Sequence, residues 1–327
     1  MGGAATAKFG TTRITKEEYK SFIQEIQDLA TKHNLGELRI PLEYPEKSDY
    51  GDVDLLFTYD VIAKPNFMAF RDTLSKDGYN LNGHLRSCVY KGHQVDLIGC
   101  MKERVDFTYF YLCYGCLGML LGVMARQLGF KFSMDGLYLR GKENIEDILV
   151  TANIQEALTF LGLSYKRFQE GFNTKAELFE YIASAKYAHL LSNLEFSGNA
   201  KHRKREHQSK AYHEFFEWFT KNKDYKSICS YRSYDALLLL KHHFPEKYES
   251  VISEIKDLLF KVYVNSMETR RFDFETFAEL YHQKKPRAKN PEIGPHYAKF
   301  KVAISPRKEK YTHEIFEAAQ NFLKDIQ

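Results

Sequence analysis

A strand-like segment at residues 50–57 carries two aspartates, Asp52 and Asp54, within an otherwise apolar run. Successive side chains of a strand point to opposite faces of its sheet, so both carboxylates share one face, roughly 6–7 Å apart along the strand. The apolar residues between and after them occupy the other face. The segment therefore requires a sheet that buries one face in an apolar core and carries a pair of carboxylates on the opposite face.

A second strand-like segment carries one more aspartate. Asp96 lies in the apolar run at 93–98, which follows a Lys91-Gly92 pair typical of a β-hairpin turn. Two carboxylates on one sheet face repel each other and are costly to bury, and a divalent cation between them removes that repulsion. A third carboxylate on a neighbouring strand would complete an oxygen ligand set for two Mg²⁺ ions. The alternative is a pair of solvated aspartates at a sheet edge.

The order of these motifs resembles the nucleotidyltransferases of the DNA polymerase beta superfamily, and most closely the palm domain of the family X polymerases. The resemblance covers about residues 36–166 and rests on the stretches 51–56 (GDVDLL), 94–98 (QVDLI), 129–137, 145–148 and 160–165. It implies an α+β fold, in which a mixed palm-like sheet with helices is followed by a mostly α-helical domain.

The resemblance also implies an activity. Family members transfer a nucleoside monophosphate from an NTP or dNTP to a hydroxyl and release pyrophosphate, with two Mg²⁺ or Mn²⁺ ions as cofactors. Asp52 and Asp54 match the family's two-metal aspartates, and Asp96 matches its third. The expected acceptor is a nucleic-acid 3′ end. RNA is slightly favoured over DNA, because the roughly 35 residues before the first palm-like strand leave no room for the lyase and fingers modules of repair polymerases.

The turn that binds the triphosphate in family members differs here. Members usually carry a Gly-Ser pair ahead of the aspartate motif, whereas this chain has Pro41-Leu42. Proline has no backbone N–H to donate, and leucine has no hydroxyl group. Gly51 and the nearest cations, Lys47 and Arg39, are therefore the candidate nucleotide-binding residues.

Charge and hydrophobic periodicity divide the chain. Residues 1–150 carry a net charge of −2 and the remainder +6, and helical periods predominate after about residue 165. We predict an N-terminal tail and helix at 1–35, a nucleotidyltransferase catalytic domain at 36–165 and a helical basic domain at 166–327. A cationic cluster in the last of these is predicted to bind nucleic-acid phosphates; it consists of Lys201, Arg203, Lys204, Arg205 and Lys210.

Apolar periodicity also predicts individual elements. Strands are expected at 38–40, 53–57, 85–90, 93–98, 130–132 and 137–139, and helices at 16–32, 67–74, 175–194, 206–221, 231–243, 246–264, 270–283 and 311–326. The proline-containing stretch 284–306 is expected to be a loop. The uncharged stretch 107–125 approaches the length of a membrane span, but its tyrosines and glycines favour a strand or turn leading into a buried helix.

Cysteine content bears on location. The chain has five cysteines, an odd number, and no signal-like N-terminus, so we expect a cytoplasmic protein in a reducing compartment without a transmembrane segment. Two other functions stay open. A toxin-type nucleotidyltransferase that modifies a protein or small molecule would tolerate neutralisation of the cationic cluster. A non-catalytic nucleic-acid-binding module would bind without Mg²⁺, and its binding would weaken steeply with salt.

Overall fold

Strands are concentrated in the first half of the chain and helices continue into the second, in a computed structural model that describes residues 5–82, 85–141, 146–192, 210–223, 235–269, 274–285 and 288–304. The chain forms two compact units. The first unit combines Met1–Arg140 with Asp147–Val251, and the second combines Gly141–Glu146 with Ile252–Gln327. The domain boundary near residue 165 stays a prediction.

The strands of the first unit are β1 (Ile14–Thr15), β2 (Asp49–Tyr50), β3 (Asp52–Thr58), β4 (Tyr79–Asn82), β5 (Leu85–Tyr90), β6 (His93–Cys100), β7 (Phe130–Ser133), β8 (Gly136–Leu139) and β9 (Ile148–Thr151). The central sheet has the order β3-β6-β5-β4 and is mixed, since β3 runs parallel to β6 while the other pairs are antiparallel. Strands β1 and β2 form a small antiparallel pair, and β7-β8-β9 form a third sheet. The α+β prediction is confirmed.

The helices of the first unit are α1 (Lys16–Lys32), α2 (Tyr59–Ile62), α3 (Pro65–Leu74), α4 (Val105–Leu112), α5 (Leu117–Gln127), α6 (Ile154–Leu161), α7 (Tyr165–Gln169), α8 (Lys175–Ala183), α9 (Lys210–Asn222) and α10 (Ala236–His243). Helix α11 (Pro245–Thr269) begins in the first unit. The second unit contains the remainder of α11 together with α12 (Phe274–Lys284) and α13 (Asn290–Ile304). In that unit the buried rings of Phe277 and Phe300 stack with centroids 5.2 Å apart.

One face of β3 and β6 packs against α1 and α3. Val53, Leu55 and Val95 are buried there, and Phe22 and Ile26 of α1 belong to the same core. Helix α1 begins with a capping box, in which the Thr15 hydroxyl accepts from the Glu18 N–H and the Glu18 carboxylate accepts from the Thr15 N–H. The alternating apolar positions of β3 thus fill the core that the sequence predicts.

The opposite face of the same two strands is apolar only at its carboxyl end. Leu56 and Ile98 are buried there, and Val105 and Tyr109 of α4 pack against them. Asp52, Asp54 and Asp96 share this face but lie nearer the beginning of their strands. Helix α4 therefore covers the end of the sheet beyond the aspartates.

The uncharged stretch 107–125 contains the expected turn and buried helix, α5, but a further helix, α4, precedes the turn and no strand is present there. Helices α4 and α5 meet at a turn in which Tyr114 and Gly115 both have positive φ angles, of 60° and 65°. Together, the segments Lys102–Leu112 and Leu117–Gln127 have the length and the apolar composition of a membrane span, but the two are bent by 100° at the break between them. In the described part of the chain, no single helix combines the length and the apolar character needed to cross a bilayer.

Three local expectations are wrong. The stretch 38–40 forms no strand but a single bridge from Arg39 to Leu56, and the next residue, Pro41, has no N–H to extend the pairing. Helix α8 ends at Ala183, and the apolar residues that follow belong to a short 3₁₀ helix, Ala188–Ser192. The expected loop at 284–306 contains α13. Pro291 lies in the first turn of α13, where a helix needs no N–H donor, whereas Pro295 lies inside the helix and removes one backbone hydrogen bond.

Candidate metal and nucleotide site

Three aspartates converge on neighbouring parallel strands. Asp54 of β3 is the register partner of Asp96 of β6, and Asp52 is the partner of Gln94. Because register partners of adjacent strands project from the same side of the sheet, the three carboxylates meet. One oxygen of each lies within 4.8 Å of an oxygen of the other two. The structure thus brings together the three residues that the sequence assigns to metal binding.

The carboxylates destabilise one another in the absence of a cation. Burial raises the pKa of Asp54 well above its usual value, and the charges of Asp52 and Asp96 raise it further. Burial also raises the pKa of Asp96 to about 6, together with the charge of Asp52, while hydrogen bonds from Ser87 and Gln94 oppose the shift. Asp96 is only 6% exposed. A positive charge beside these carboxylates would offset both shifts and lower the two pKa values.

A divalent cation fits this donor set. Mg²⁺ prefers hard oxygen ligands, keeps part of its hydration shell and commonly shares its coordination with substrate phosphates. The three carboxylates supply hard oxygens on one side, and Asp52 and Asp54 line an open cavity on the other. The chemistry of the donors and their mutual repulsion both match a divalent metal centre.

The cavity beside the aspartates has a volume of about 670 Å³ and is rich in charge. Among the described residues, four cationic side chains line it: Arg13, Lys47, Lys175 and Lys210. Each pairs with a carboxylate that also lines the cavity; the pairs are Arg13–Asp49 at 2.6 Å, Lys47–Glu43 at 2.6 Å, Lys175–Glu214 at 2.8 Å and Lys210–Glu214 at 3.7 Å. This cation-lined cavity therefore also carries carboxylates, and an anion bound beside the aspartates would have to take these positive groups from their carboxylate partners.

Comparison with known proteins finds similarity in structure only. No protein-family model matches the chain, and no curated protein matches it. The chain is similar to Leishmania infantum polymerase beta in a ternary gap complex, with 15% identity, 41% of this chain and 54% of that chain covered, and a TM-score of 0.33. It is similar to the same polymerase in a ternary P/T complex, with 16% identity, coverage of 48% and 76%, and a TM-score of 0.37. The chain thus spans about half the length of the polymerase in the gap complex.

The three candidate nucleotide-binding residues occupy different surroundings. Gly51 is buried between β2 and β3 and lines the cation-lined cavity. Lys47 lines it too, with its ammonium group on Glu43 and 4.8 Å from the centroid of the Tyr50 ring. Arg39 is not among the lining residues; its guanidinium pairs with Asp106 at 2.6 Å. Their role in nucleotide binding stays a prediction, and the geometry favours Lys47 over Arg39.

The cationic cluster falls largely outside the described residues. Lys201, Arg203, Lys204 and Arg205 belong to the part of the chain that the structure does not describe. Lys210 begins α9 and lines the cation-lined cavity with its side chain 86% exposed. The aromatic residues of α9 lie at helical spacing, and Tyr212, Phe215 and Phe219 are buried, so they belong to the core.

The Pro41-Leu42 turn is fixed by the bend between α4 and α5. The Leu42 N–H donates to Cys113 Sγ at 3.2 Å, and the Leu42 carbonyl accepts from the Tyr114 N–H at 2.7 Å. The backbone N–H and carbonyl groups of Leu42 therefore both form hydrogen bonds within the protein. The next residue, Glu43, lines the same cavity as Asp52 and Asp54.

Glu43 and Arg13 are site residues that the sequence analysis missed. Burial raises the pKa of Glu43, and the charge of Asp52 adds to the effect, against Lys47. Its Oε2 atom is buried and has no hydrogen-bond partner among the described residues. A hydrogen bond to Asp49, with the charges of Asp49 and Asp52, raises the pKa of Arg13. Neither residue carries a sequence signal, because Glu43 lies in irregular structure and Arg13 precedes a two-residue strand.

Proposed function

We propose that this chain is a divalent-metal-dependent nucleotidyltransferase, which moves a nucleoside monophosphate from an NTP or dNTP to a hydroxyl and releases pyrophosphate. The observation that carries the proposal is the cluster of Asp52, Asp54 and Asp96 within 4.8 Å, beside a cavity lined by four cations. The motif order of the polymerase beta superfamily in the sequence supports the same conclusion.

The aspartates would divide the work of metal binding. Asp52 and Asp54 would hold two Mg²⁺ or Mn²⁺ ions, and Asp96 would hold the catalytic one. Bound ions would neutralise the phosphates and clamp the attacking and leaving oxygens. Asp96, whose pKa is raised to about 6 in the metal-free protein, would favour loss of the proton from the acceptor hydroxyl. The chain would otherwise act by positioning and by charge neutralisation.

The cation-lined cavity supports an anionic substrate of nucleotide size. A triphosphate entering it would compete with Glu43 for Lys47 and with Glu214 for Lys175 and Lys210. Charge-assisted contacts to phosphate oxygens are stronger than neutral hydrogen bonds. These cations would therefore take over the binding of the triphosphate, which the Gly-Ser turn performs in family members and for which Pro41-Leu42 lacks the donors. The proposed acceptor is a nucleic-acid 3′ end, with RNA ahead of DNA.

The proposal is tested by nucleotide incorporation. The protein is incubated with Mg²⁺ or Mn²⁺, each labelled NTP and dNTP, and pooled tRNA, single-stranded RNA and primed DNA. A double Asp52→Asn, Asp54→Asn variant runs alongside, with a double Asp28→Asn, Asp72→Asn variant as matched control, since both of its aspartates lie outside the cation-lined cavity. We expect label in a nucleic-acid band with wild type and control but not with the site variant.

The other outcomes separate the alternatives. Label on the protein itself or on a small molecule would favour a toxin-type transferase over a nucleic-acid acceptor. The absence of label, with nucleic-acid binding that needs no Mg²⁺ and survives Asp52→Asn, would contradict the proposal and identify a binding module.

Neutralising the cationic cluster is expected to weaken RNA binding. Each phosphate contact to a single strand contributes about 0.7 to the slope of log affinity against log salt concentration. Replacing Lys201, Arg203, Lys204 and Arg205 by glutamine should reduce that slope by up to about 3. The measurement is fluorescence anisotropy of a labelled oligoribonucleotide at several salt concentrations. An unchanged slope would contradict the assignment of phosphate binding to the cationic cluster.

A further inference from the structure

A chain of hydrogen bonds connects the N-terminal segment to Asp96. Gln94 Nε2 donates to Asp96 Oδ1 at 3.0 Å. Gln94 Oε1 accepts from the backbone N–H of Thr6 at 3.1 Å and from its hydroxyl at 2.9 Å. Thr6 is fully buried and Gln94 is 2% exposed. The contact joins residues 88 positions apart in the sequence.

The direction of every bond in this chain is determined. The Gln94 oxygen is an acceptor only, so the two donors of Thr6 fix the orientation of the amide and turn its NH₂ group to Asp96. The Thr6 hydroxyl donates its single proton to Gln94, so in the 3.0 Å contact between the two hydroxyls Thr11 is the donor. The bonds therefore run from Thr11 through Thr6 and Gln94 to the carboxylate.

The N-terminal segment is fastened to the sheet at its other end as well. The Thr12 N–H donates to the Gly92 carbonyl at 2.9 Å, and His93 Nδ1 lies 3.0 Å from the Thr12 carbonyl. Residues 5–12 therefore follow the beginning of β6, and the description of this stretch as a tail is wrong from Ala5 onward. The N-terminal segment thus holds the side chain of Gln94, which lies on the same strand, β6, as the proposed metal ligand Asp96.

We propose that Gln94 is a positioning residue for the metal site and that Thr6 holds it in its working orientation. The inference rests on the proposed function, because it takes Asp96 as a metal ligand. Gln94 occupies Oδ1 of Asp96, and the hydroxyl of Ser87, the register partner of Asp96 on β5, also bonds to the carboxylate. These donors limit rotation of the carboxylate and stabilise its ionised form. One oxygen of the same carboxylate lies within 4.8 Å of an oxygen of Asp52 and of Asp54, where a cation would bind.

A structural role alone predicts a different result from a positioning role. Partners of metal ligands typically change metal affinity by about 10–100-fold when they are lost. A polar pair that only satisfies a buried strand would lower the stability of the fold and leave metal affinity in the folded protein unchanged. Metal affinity, measured apart from activity and stability, therefore separates the two roles.

The experiment is a Mn²⁺ titration of the full chain, followed by the electron paramagnetic resonance signal of free Mn²⁺. Gln94→Met, which keeps side-chain length but has no amide, is expected to bind Mn²⁺ about 10–100-fold more weakly than wild type. Thr6→Val, which keeps the backbone donor, is expected to lose about fivefold. Thr6→Ser should restore wild-type affinity. Thr108→Val is the matched control, since Thr108 is buried and donates to the Arg104 carbonyl instead.

Each outcome decides the inference. Weaker Mn²⁺ binding by folded Gln94→Met and Thr6→Val, with wild-type binding by Thr6→Ser and Thr108→Val, would establish it. Wild-type affinity in folded Gln94→Met, or in Thr6→Val if Gln94→Met does not fold, would overturn it and leave the proposed function intact. Absence of Mn²⁺ binding by the wild-type protein would overturn the metal site and the inference together.

Discussion

An Asp54→Asn variant is expected to transfer nucleotides at least about a thousandfold more slowly than the wild-type protein. Asp54 neighbours both of the other carboxylates, because it lies two residues from Asp52 on β3 and is the register partner of Asp96, and the charges of both raise its pKa. A bound metal supplies several kcal/mol of charge stabilisation in the transition state, and about 4 kcal/mol corresponds to a factor of about a thousand in rate. The variant keeps the size of the side chain and removes one metal ligand.

The measurement is the initial rate of label incorporation at saturating Mn²⁺ and NTP. Asp72→Asn is the control, because Asp72 pairs with Arg71 on the surface and lies outside the cation-lined cavity. Thermal unfolding of each variant separates lost catalysis from lost folding. A rate for folded Asp54→Asn within about tenfold of wild type would contradict the assignment of the metal site.

Removing the charge of Asp96 is expected to stabilise the metal-free protein. The pKa of Asp96 rises from the usual value of 3.8 to about 6 in the folded, metal-free protein, mainly because of burial. Each pKa unit corresponds to about 1.4 kcal/mol, so Asp96→Asn should raise the free energy of unfolding by up to about 3 kcal/mol at neutral pH. The asparagine oxygen can still accept the hydrogen bond from Gln94.

The pH dependence follows from the sign of the shift. A carboxyl whose folded pKa is raised destabilises the fold fully above about pH 6, and this cost disappears as the pH falls towards 3.8. The advantage of Asp96→Asn should therefore be large at pH 7.5 and vanish near pH 4. Urea unfolding in the presence of a chelator, followed by the fluorescence of the single Trp218 in the first unit, measures both values. Equal stabilities at pH 7.5 would contradict the electrostatic description of the site.

The aspartate cluster is the part of the site that the sequence predicts best, for a physical reason. The two-residue period of a strand places Asp52 and Asp54 on one face, and the order of the motifs places Asp96 beside them. The same period aligns Gln94 with Asp96, so this residue could have been identified as well. The alternation of side chains between the two faces is a local property of any strand, and residues 52–58 and 93–100 are strands in the structure, so the prediction from the sequence holds there.

The rest of the site depends on contacts between distant parts of the chain. Arg13 reaches the cation-lined cavity because β1 pairs with β2, and two-residue strands leave no periodic signal. Thr6 contacts Gln94 across 88 positions, and no local pattern encodes such a pair. Proline content misleads at α13, because Pro291 lies in the first turn, where it costs no hydrogen bond, and the helix continues through Pro295 although that residue has no N–H to donate.

Metal binding by the three aspartates is best tested with a crystal of the protein soaked in Mn²⁺, from which diffraction is recorded at a wavelength where manganese scatters anomalously. We expect anomalous peaks at about 2.1 Å from carboxylate oxygens, namely those of Asp52, Asp54 and Asp96, and no such peaks in an Asp54→Asn crystal treated in the same way. Full Mn²⁺ occupancy elsewhere, with none at these three aspartates, would contradict this expectation.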